Sequence, residues 1–126
     1  MKVIIFFVLN LSVLTASASE DWERKATGPF YVEYFGEINK IDGIATLQML
    51  RDYNEKIEFD GFLIKSVQTL REFDCGDKTT KVQKYTGYAD QMGEGEILFQ
   101  KTGEDSWETV DSTTFLEFAL KSACKV

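Results

Sequence analysis

The sequence predicts an α+β fold, an antiparallel β-sheet of about six strands with one C-terminal α-helix packed on it and tethered by a disulfide. Three observations support this. Short segments rich in aromatic and β-branched residues recur between turn residues, as expected for strands. The C-terminal segment alone changes to a helical period. Cys75 and Cys124 are the two cysteines, and a bridge between them would tie the middle of the chain to that helix.

The first 18 residues predict a cleaved export signal. Lys2 supplies a positive start, residues 3–14 are mostly apolar, and Ala16-Ser17-Ala18 fits a small-residue cleavage site. The alternative, a transmembrane anchor, needs about 20 uninterrupted apolar residues. Asn10 and Ser12 interrupt this run, which is already short.

Cleavage between Ala18 and Ser19 leaves a single domain over residues 19–126. A lipoprotein would place its acylated cysteine where Ser19 lies, so no lipid anchor is expected. We expect a periplasmic or secreted protein with no membrane insertion in its mature form.

The charge of the chain argues against a polyanionic partner. Lys and Arg number 14 against 21 Asp and Glu, for a net charge of −7. Nucleic acids gain most of their affinity from Lys and Arg contacts to phosphate, so no nucleic-acid partner is expected. Lys78, Lys81 and Lys84 form a local basic group, which is more typical of a solvated strand face.

Six segments have strand character, and the breaks between them carry turn residues. Residues 44–53 also suit a helix, but hairpin-like flanks favour a strand. Mixed parity in the third segment indicates a bulge or burial on both faces. Polar residues 19–28 are interpreted as a lead-in whose Trp22 tucks under the sheet, 36–43 as a turn region and 54–61 as a polar connection. The predicted strands are 30–35, 44–53, 62–75, 79–89, 97–101 and 107–110.

The C-terminal helix is predicted from a stripe of apolar residues at helical spacing. Thr114 with Glu117 three residues later fits a capping box. Lys121 and Lys125 lie near the C-terminal end, where the helix dipole favours cations. The stripe consists of Phe115, Leu116, Ala119, Leu120, Ala123 and Cys124.

Two cysteines in an exported chain predict one disulfide, and the alternative is two buried free thiols. The loop that the bridge closes has about 50 residues, for which the chain-entropy model gives about 4 kcal/mol of stabilisation.

The sequence offers little for catalysis, and we expect no enzyme, no cofactor and no metal. Histidine is absent, which removes Ser-His, Cys-His and histidine-metal chemistry. Gly93 and Gly95 precede a strand, whereas a phosphate loop needs a helix behind it. Asp74-Cys75-Gly76-Asp77 lacks the further oxygen ligands of a calcium loop. Acidic pairs show no convergence on a cleft and fit solubility better; they are Glu94 with Glu96, Glu104 with Asp105, and Glu58 with Asp60.

Large apolar residues on both faces of the first strand indicate an exposed aromatic surface or a cover over one face. Phe30, Val32 and Tyr34 alternate with Tyr31 and Phe35. One explanation is a protein-binding or homodimer surface; the other is coverage by the lead-in or by residues 54–61. The predicted interaction residues are Tyr31, Phe35, Lys78, Lys81 and Lys84.

An ordered set of short motifs resembles the surface-adhesin protein E-like family of Gram-negative bacteria. The match runs from about Phe30 to Cys124 and is best from Phe62 onward. No single motif is specific; the ordered set with its spacing is moderately so. The motifs are Glu72-Phe73-Asp74-Cys75, Tyr85-Thr86-Gly87, Met92-Gly93-Glu94-Gly95-Glu96, Trp107-Glu108-Thr109-Val110, Ser112 and the helix ending at Cys124.

The resemblance implies a sheet of about six strands and a Cys75–Cys124 bridge to the C-terminal helix. It also implies dimerisation and binding of host extracellular-matrix and serum proteins by a lipid-anchored surface protein. This chain departs from that pattern because it lacks the acylated cysteine. The leading hypothesis is an exported, non-enzymatic interaction domain with a protein partner. The alternatives are a surface or secreted adhesin, and an enzyme-inhibitor or accessory module of an envelope enzyme.

Overall fold

The computed structural model describes residues 21–125, which form one antiparallel sheet and one α-helix. The predicted signal peptide and its cleavage site, Ala18 and Ser19, lie outside the described residues. The strands are β1 (Glu23–Thr27), β2 (Tyr31–Ile41), β3 (Ile44–Phe59), β4 (Phe62–Asp74), β5 (Thr79–Tyr88), β6 (Ile97–Thr102) and β7 (Glu108–Thr109), with a 3₁₀ turn at Gln91–Gly93 and the helix α1 at Phe115–Cys124.

The sheet is an antiparallel meander in the order β1-β2-β3-β4-β5-β6, and β7 also pairs with β5. Two hairpins close on two-residue Asp-Gly turns, Asp42-Gly43 and Asp60-Gly61. All four of these residues have positive φ, between 53° and 86°. This geometry matches the twist of the flanking strands, so β3 runs unbroken from one turn to the other.

The strands are therefore longer than the sequence predicted. Residues 36–41, expected in a turn region, continue β2, and residues 54–59, expected in a polar connection, continue β3. Polar side chains at the ends of these hairpins face solvent, which conceals the strand pattern. The lead-in 19–28 also contains a strand, β1, which raises the strand count to seven. As a mostly polar edge strand, β1 lacks the apolar alternation of a half-buried one.

Helix α1 packs on one face of the sheet, called here the inner face. Three buried residues of the helix, Ala119, Leu120 and Ala123, join the core, and the two small alanines let the helix approach the sheet closely. Cys75, directly after β4, is bonded to Cys124 in the last turn of α1, with Cα atoms 5.7 Å apart. The predicted helix and its disulfide are confirmed. The sheet residues of this core are Phe35, Ala45, Leu47, Met49 and Phe73, joined by Val110.

The capping box predicted at Thr114 and Glu117 is wrong. Thr114 occupies the N-cap position, but its side chain makes no capping hydrogen bond. Its hydroxyl instead donates to the carbonyl oxygen of Asp111, 2.8 Å away. Glu117 pairs with Lys121 one turn later, at 3.1 Å. The turn at Asp111 competes for the hydroxyl that a capping box would need.

The opposite, outer face of the sheet is partly covered by the lead-in. The ring of Trp22 packs on Gly36, where an added Cβ would lie 2.8 Å from a ring carbon. The expectation that Trp22 tucks under the sheet is confirmed. The 3₁₀ turn covers another part of this face, because Gly93 N–H donates to Ser66 Oγ at 2.9 Å and Met92 N–H to Asp52 Oδ1 at 3.0 Å.

The mixed parity of β4 is accompanied by irregular pairing, which is the bulge that the sequence predicted as one of two explanations. Its register with β3 shifts between Asp52 and Ile57, and its register with β5 shifts at Leu70/Arg71. Ile64 and Val67 therefore enter the same core cluster although they differ in parity.

Candidate functional site

A cavity of about 430 Å³ lies between the inner face of the sheet and the first turn of α1. It is partly open to solvent, and its walls are mostly apolar. Strands β2 to β5 supply one side, and the N-terminal end of α1 supplies the other. The lining residues are Glu33, Met49, Arg51, Tyr53, Phe59, Val67, Thr69, Arg71, Val82, Tyr85, Thr114, Phe115 and Leu116.

Glu33 and Arg51 form an ion pair in one wall of the cavity. They are direct cross-strand partners on β2 and β3. Arg51 Nε donates to Glu33 Oε2 at 2.6 Å, and a terminal guanidinium nitrogen binds the same oxygen. The guanidinium also lies over the ring of Tyr31, 4.0 Å from its centroid, which is a favourable cation–π position. The guanidinium of Arg51 is therefore held in place by both Glu33 and Tyr31.

Burial sets the electrostatics of this pair. Glu33 is only 5% exposed, and its burial raises the pKa of its carboxyl above the ordinary 4.5, although Arg51 opposes the shift. Burial acts to lower the pKa of Arg51, but the charge and hydrogen bond of Glu33 raise it overall. Arg51 therefore stays a cation. The unfavourable effect of burial appears instead as the raised pKa of Glu33.

Arg71 brings a second guanidinium to the cavity from β4. One terminal nitrogen donates to Thr80 Oγ1 at 3.2 Å. Within residues 21–125, Arg71 Nε is the one buried side-chain polar atom that has no hydrogen-bond partner. Burial lowers the pKa of Arg71, while the charges of Glu108 and Glu33 act to raise it. Arginine nevertheless remains protonated in proteins, so this group is a cation.

Aromatic rings border the charged wall. Phe59 contacts Tyr85 edge-on at 6.1 Å between ring centroids and stacks on Phe99 at 5.4 Å. At the helix side, Phe115 packs against Phe35 at 5.7 Å. The cavity thus combines two guanidinium groups and one carboxylate with apolar and aromatic walls, an arrangement suited to binding.

The structure does not bring the five predicted interaction residues together. Phe35 is 3% exposed and lies beneath the rings of Phe115 and Phe118, so its prediction as a surface residue is wrong. By strand alternation, Phe35 faces the same side of the sheet as the residues packed against α1, so the helix covers it. Tyr31 is half-buried on the same inner face, between Arg51 and Tyr53.

The three predicted lysines lie elsewhere. Lys78 is an exposed turn residue with a φ of 58°. Lys81 is opposite Glu72 on the outer side of β5, with its ammonium 4.8 Å from the centre of the Trp107 ring. Lys84 lines a small outer-face depression of about 120 Å³ with Gln48 and Gln68. They form no common patch with the two aromatic residues.

The acidic motifs have structural roles. Asp74 Oδ1 accepts the N–H groups of Gly76 and Asp77, both at 3.1 Å, which stabilises the turn before β5. Asp60 pairs with Lys101 across the sheet. Across residues 21–125, no group of three His, Cys, Asp or Glu side chains is placed to hold a metal ion.

Sequence reasoning missed the charged residues of the cavity. Glu33, Arg51 and Arg71 each occupy the inward parity of their strands, where apolar residues are expected. Arg51 alternates with Met49 and Tyr53, and Arg71 precedes Phe73 at the same parity. The sequence signal that could have pointed to these residues is a charged side chain where strand alternation predicts an apolar one, repeated in three adjacent strands.

The fold and the site define a class: a small antiparallel-sheet domain whose C-terminal helix is disulfide-bonded to the sheet above a cavity. The chain belongs to the surface-adhesin protein E family, whose model matches residues 20–125. The resemblance noted in the motifs is thereby confirmed. A search of curated protein sequences gives no significant match.

Two solved structures of Haemophilus influenzae protein E share this fold. One matches with a TM-score of 0.62 and 13% identity, over 82% of this chain and 93% of that chain. Crystal form II of the same protein matches with a TM-score of 0.63 and 13% identity, over 86% and 97%. In residues 21–125, no helix has the length and apolar character needed to cross a membrane.

Proposed function

We propose that this protein is an exported, non-enzymatic protein-binding domain of the adhesin E type. The family match over residues 20–125 carries the proposal. The shared fold, which extends over almost the whole of protein E, supports it. A homodimer formed through the sheet belongs to the same proposal.

Export is supported by two features. The family match starts at residue 20, just after the proposed cut between Ala18 and Ser19, which is consistent with a leader in residues 1–18 and a mature domain over 19–126. The Cys75–Cys124 bridge also fits an oxidising compartment. The protein would therefore work in the periplasm or outside the cell.

The surface that favours a protein partner lies at the Asp60-Gly61 end of the sheet. Leu63 is 61% exposed and Ile97 is 54% exposed. Phe62, at the start of β4, is 39% exposed and contacts the ring of Phe99. Ile97 begins β6, an edge strand paired on one side by β5. Exposed apolar side chains beside a sheet edge are characteristic of binding surfaces.

The partner is tested by a pull-down from the cell envelope with the tagged, disulfide-bonded protein. We expect a specific protein to be captured by the native chain and lost with the double variant Leu63→Gln, Ile97→Gln. Ile41→Gln is the matched control, because Ile41 is 71% exposed at the opposite, Asp42-Gly43 end of the sheet. Equal capture by both variants would reject this surface.

Cell fractionation separates the alternatives. A surface or secreted location supports an adhesin, whereas confinement to the periplasm rules it out. Capture of an envelope enzyme would instead indicate an inhibitor or accessory module. Light scattering at high protein concentration tests the homodimer, and a monomer there would reject it.

A further inference from the structure

We propose that the cavity between β2–β5 and α1 binds a small amphipathic monoanion, a carboxylate with an apolar body, whose charged group is recognised by Arg71. This site is separate from the protein-binding surface proposed above. Its test does not depend on that surface.

The first support is the charge inside the cavity. Two arginines and one glutamate line it. Glu33 is committed to Arg51 through a short hydrogen bond and an ion pair. Within the described chain, Arg71 takes part in no ion pair. Among the charges that line the cavity, one positive charge is therefore left over, which a single anion would neutralise.

The second support is the incomplete hydrogen bonding of the Arg71 guanidinium, which lines the cavity. One terminal nitrogen donates to Thr80 Oγ1. Nε has no partner in residues 21–125 but is too deeply buried for a ligand in the cavity to reach, so a ligand would contact the terminal nitrogens. A carboxylate oxygen is the acceptor that a guanidinium binds best. Glu108, the other acidic group that acts on Arg71, is exposed on the short strand β7.

The end of α1 adds to the positive potential. Thr114, Phe115 and Leu116 line the cavity, so the N-terminal turn of this ten-residue helix lies beside it. The side chain of Thr114 is bonded to Asp111 and makes no capping hydrogen bond. A helix N-terminus favours an anion, and here no side-chain carboxylate or hydroxyl caps it.

The apolar walls of the cavity restrict the kind of anion that it can bind. Met49, Val67, Val82, Phe115 and Leu116 make most of the remaining surface apolar. A fully hydrated anion would leave these walls in contact with water, and a neutral apolar molecule would leave Arg71 unpaired. The volume of about 430 Å³ lies within the range of small-molecule sites. Together these features select a ligand with one negative charge and an apolar chain.

Calorimetric titration of the oxidised protein with octanoate, octan-1-ol and acetate tests the proposal. Octanoate has both parts, octan-1-ol lacks the charge, and acetate lacks the chain. We expect one octanoate per chain, bound at least about tenfold more tightly than either of the others. Equal affinity for octanoate and octan-1-ol, or no octanoate binding, would overturn the proposal.

Variants then locate the contact. Arg71→Met should weaken octanoate binding at least about tenfold and leave octan-1-ol binding unchanged, because it removes the charge but keeps an apolar stem. Lys84→Met is the matched control on the outer face and should bind octanoate like the native chain. Unchanged octanoate affinity in Arg71→Met would refute the role of Arg71.

A measurement on the native chain covers the case in which Arg71→Met fails to fold. Octanoate should shift the backbone amide signals of Thr69, Arg71 and Phe115, which surround the cavity, and leave those of Gln48 and Gln100 on the outer face unchanged. Shifts confined to the outer face would overturn the proposal. So would binding of a peptide through its C-terminal carboxylate without any binding of octanoate, since the ligand would then be a protein segment.

Discussion

Glu33 and Arg51 face each other directly across β2 and β3, and the hydrogen bond between them is 2.6 Å long. The two partners differ in burial: the Glu33 side chain is 6% exposed, and that of Arg51 is 39% exposed. Removing one partner therefore has a different consequence from removing the other. An arginine left alone can reach water, whereas a carboxylate left alone cannot.

Arg51→Met should destabilise the protein more than Glu33→Gln. The first change leaves a buried carboxylate without its cation, which costs about 3 kcal/mol or more. The second keeps a hydrogen-bond acceptor for Arg51 and should cost about 1 kcal/mol or less. Urea denaturation near neutral pH measures both free energies of unfolding.

The control for this comparison is Glu23→Gln. Glu23, whose side chain is 74% exposed, pairs with Lys25 at 3.3 Å, and pairs at the surface contribute little to stability. The free energy of unfolding of this variant should remain within about 0.5 kcal/mol of the native value. Equal losses in Arg51→Met and Glu33→Gln would contradict the asymmetry.

Glu33 should also give the protein a recognisable pH dependence. Burial raises the pKa of this carboxyl above the ordinary 4.5, so between the two values the folded state holds a proton that the unfolded state has lost. The contribution of Glu33 to the free energy of unfolding is greatest below this window and falls as pH rises through it. The stability of the native protein relative to Glu33→Gln should thus be higher at about pH 4, below the ordinary pKa of 4.5, than at about pH 7.

Denaturation of both proteins at the two pH values provides the measurement. The other acidic groups are common to both chains and cancel in the difference. A difference that is constant with pH, or that grows toward neutral pH, would show that Glu33 has no raised pKa.

The disulfide should contribute a large part of the total stability. It joins residues separated by 49 positions, and the chain-entropy model gives about 4 kcal/mol for a loop of this length. The double variant Cys75→Ser, Cys124→Ser should lose about that amount in urea denaturation. A loss below about 1 kcal/mol would indicate that the packing of α1 alone fixes the helix.

Features encoded locally could be predicted from the sequence. The helix follows from the spacing of Phe115, Ala119 and Ala123, and the bridge follows from the presence of two cysteines in a chain with a predicted export signal. The ends of the strands were harder to predict from the sequence. Asp42-Gly43 and Asp60-Gly61 are tight turns, so polar residues beside them belong to strands although their composition resembles that of loops.

The cavity could not be predicted because it depends on register. A hairpin with regular pairing from the Asp42-Gly43 turn, which starts by placing Ile41 opposite Ile44, would put Glu33 opposite Asp52. The irregularity between Phe35 and Ile38 moves Glu33 by one position, so that it faces Arg51. One bulge thus turns a repulsive pair of carboxylates into an ion pair. Neither charge nor parity along a single strand reveals this.

Gly87→Ala should disturb the aromatic cluster at the Asp60-Gly61 end of the sheet. Gly87 is the cross-strand partner of Phe99, and an added Cβ would lie 2.4 Å to 3.0 Å from three atoms of the Phe99 ring. That ring is stacked on Phe59 and contacts the tilted ring of Phe62, so it has little room to move. We expect a loss of about 1–3 kcal/mol in the free energy of unfolding. Gly28→Ala is the matched control, because its Cβ would make only an ordinary contact of 3.5 Å with Tyr31 O.

The cause of the loss can be tested in a Phe99→Leu background. A smaller side chain at position 99 leaves space for the methyl group that the Gly87→Ala change adds, so this change should cost less there than in the native chain. If its cost is the same in both backgrounds, the strain does not come from Phe99. If Gly87→Ala is as well tolerated as Gly28→Ala, the close contact between Gly87 and Phe99 does not constrain the fold.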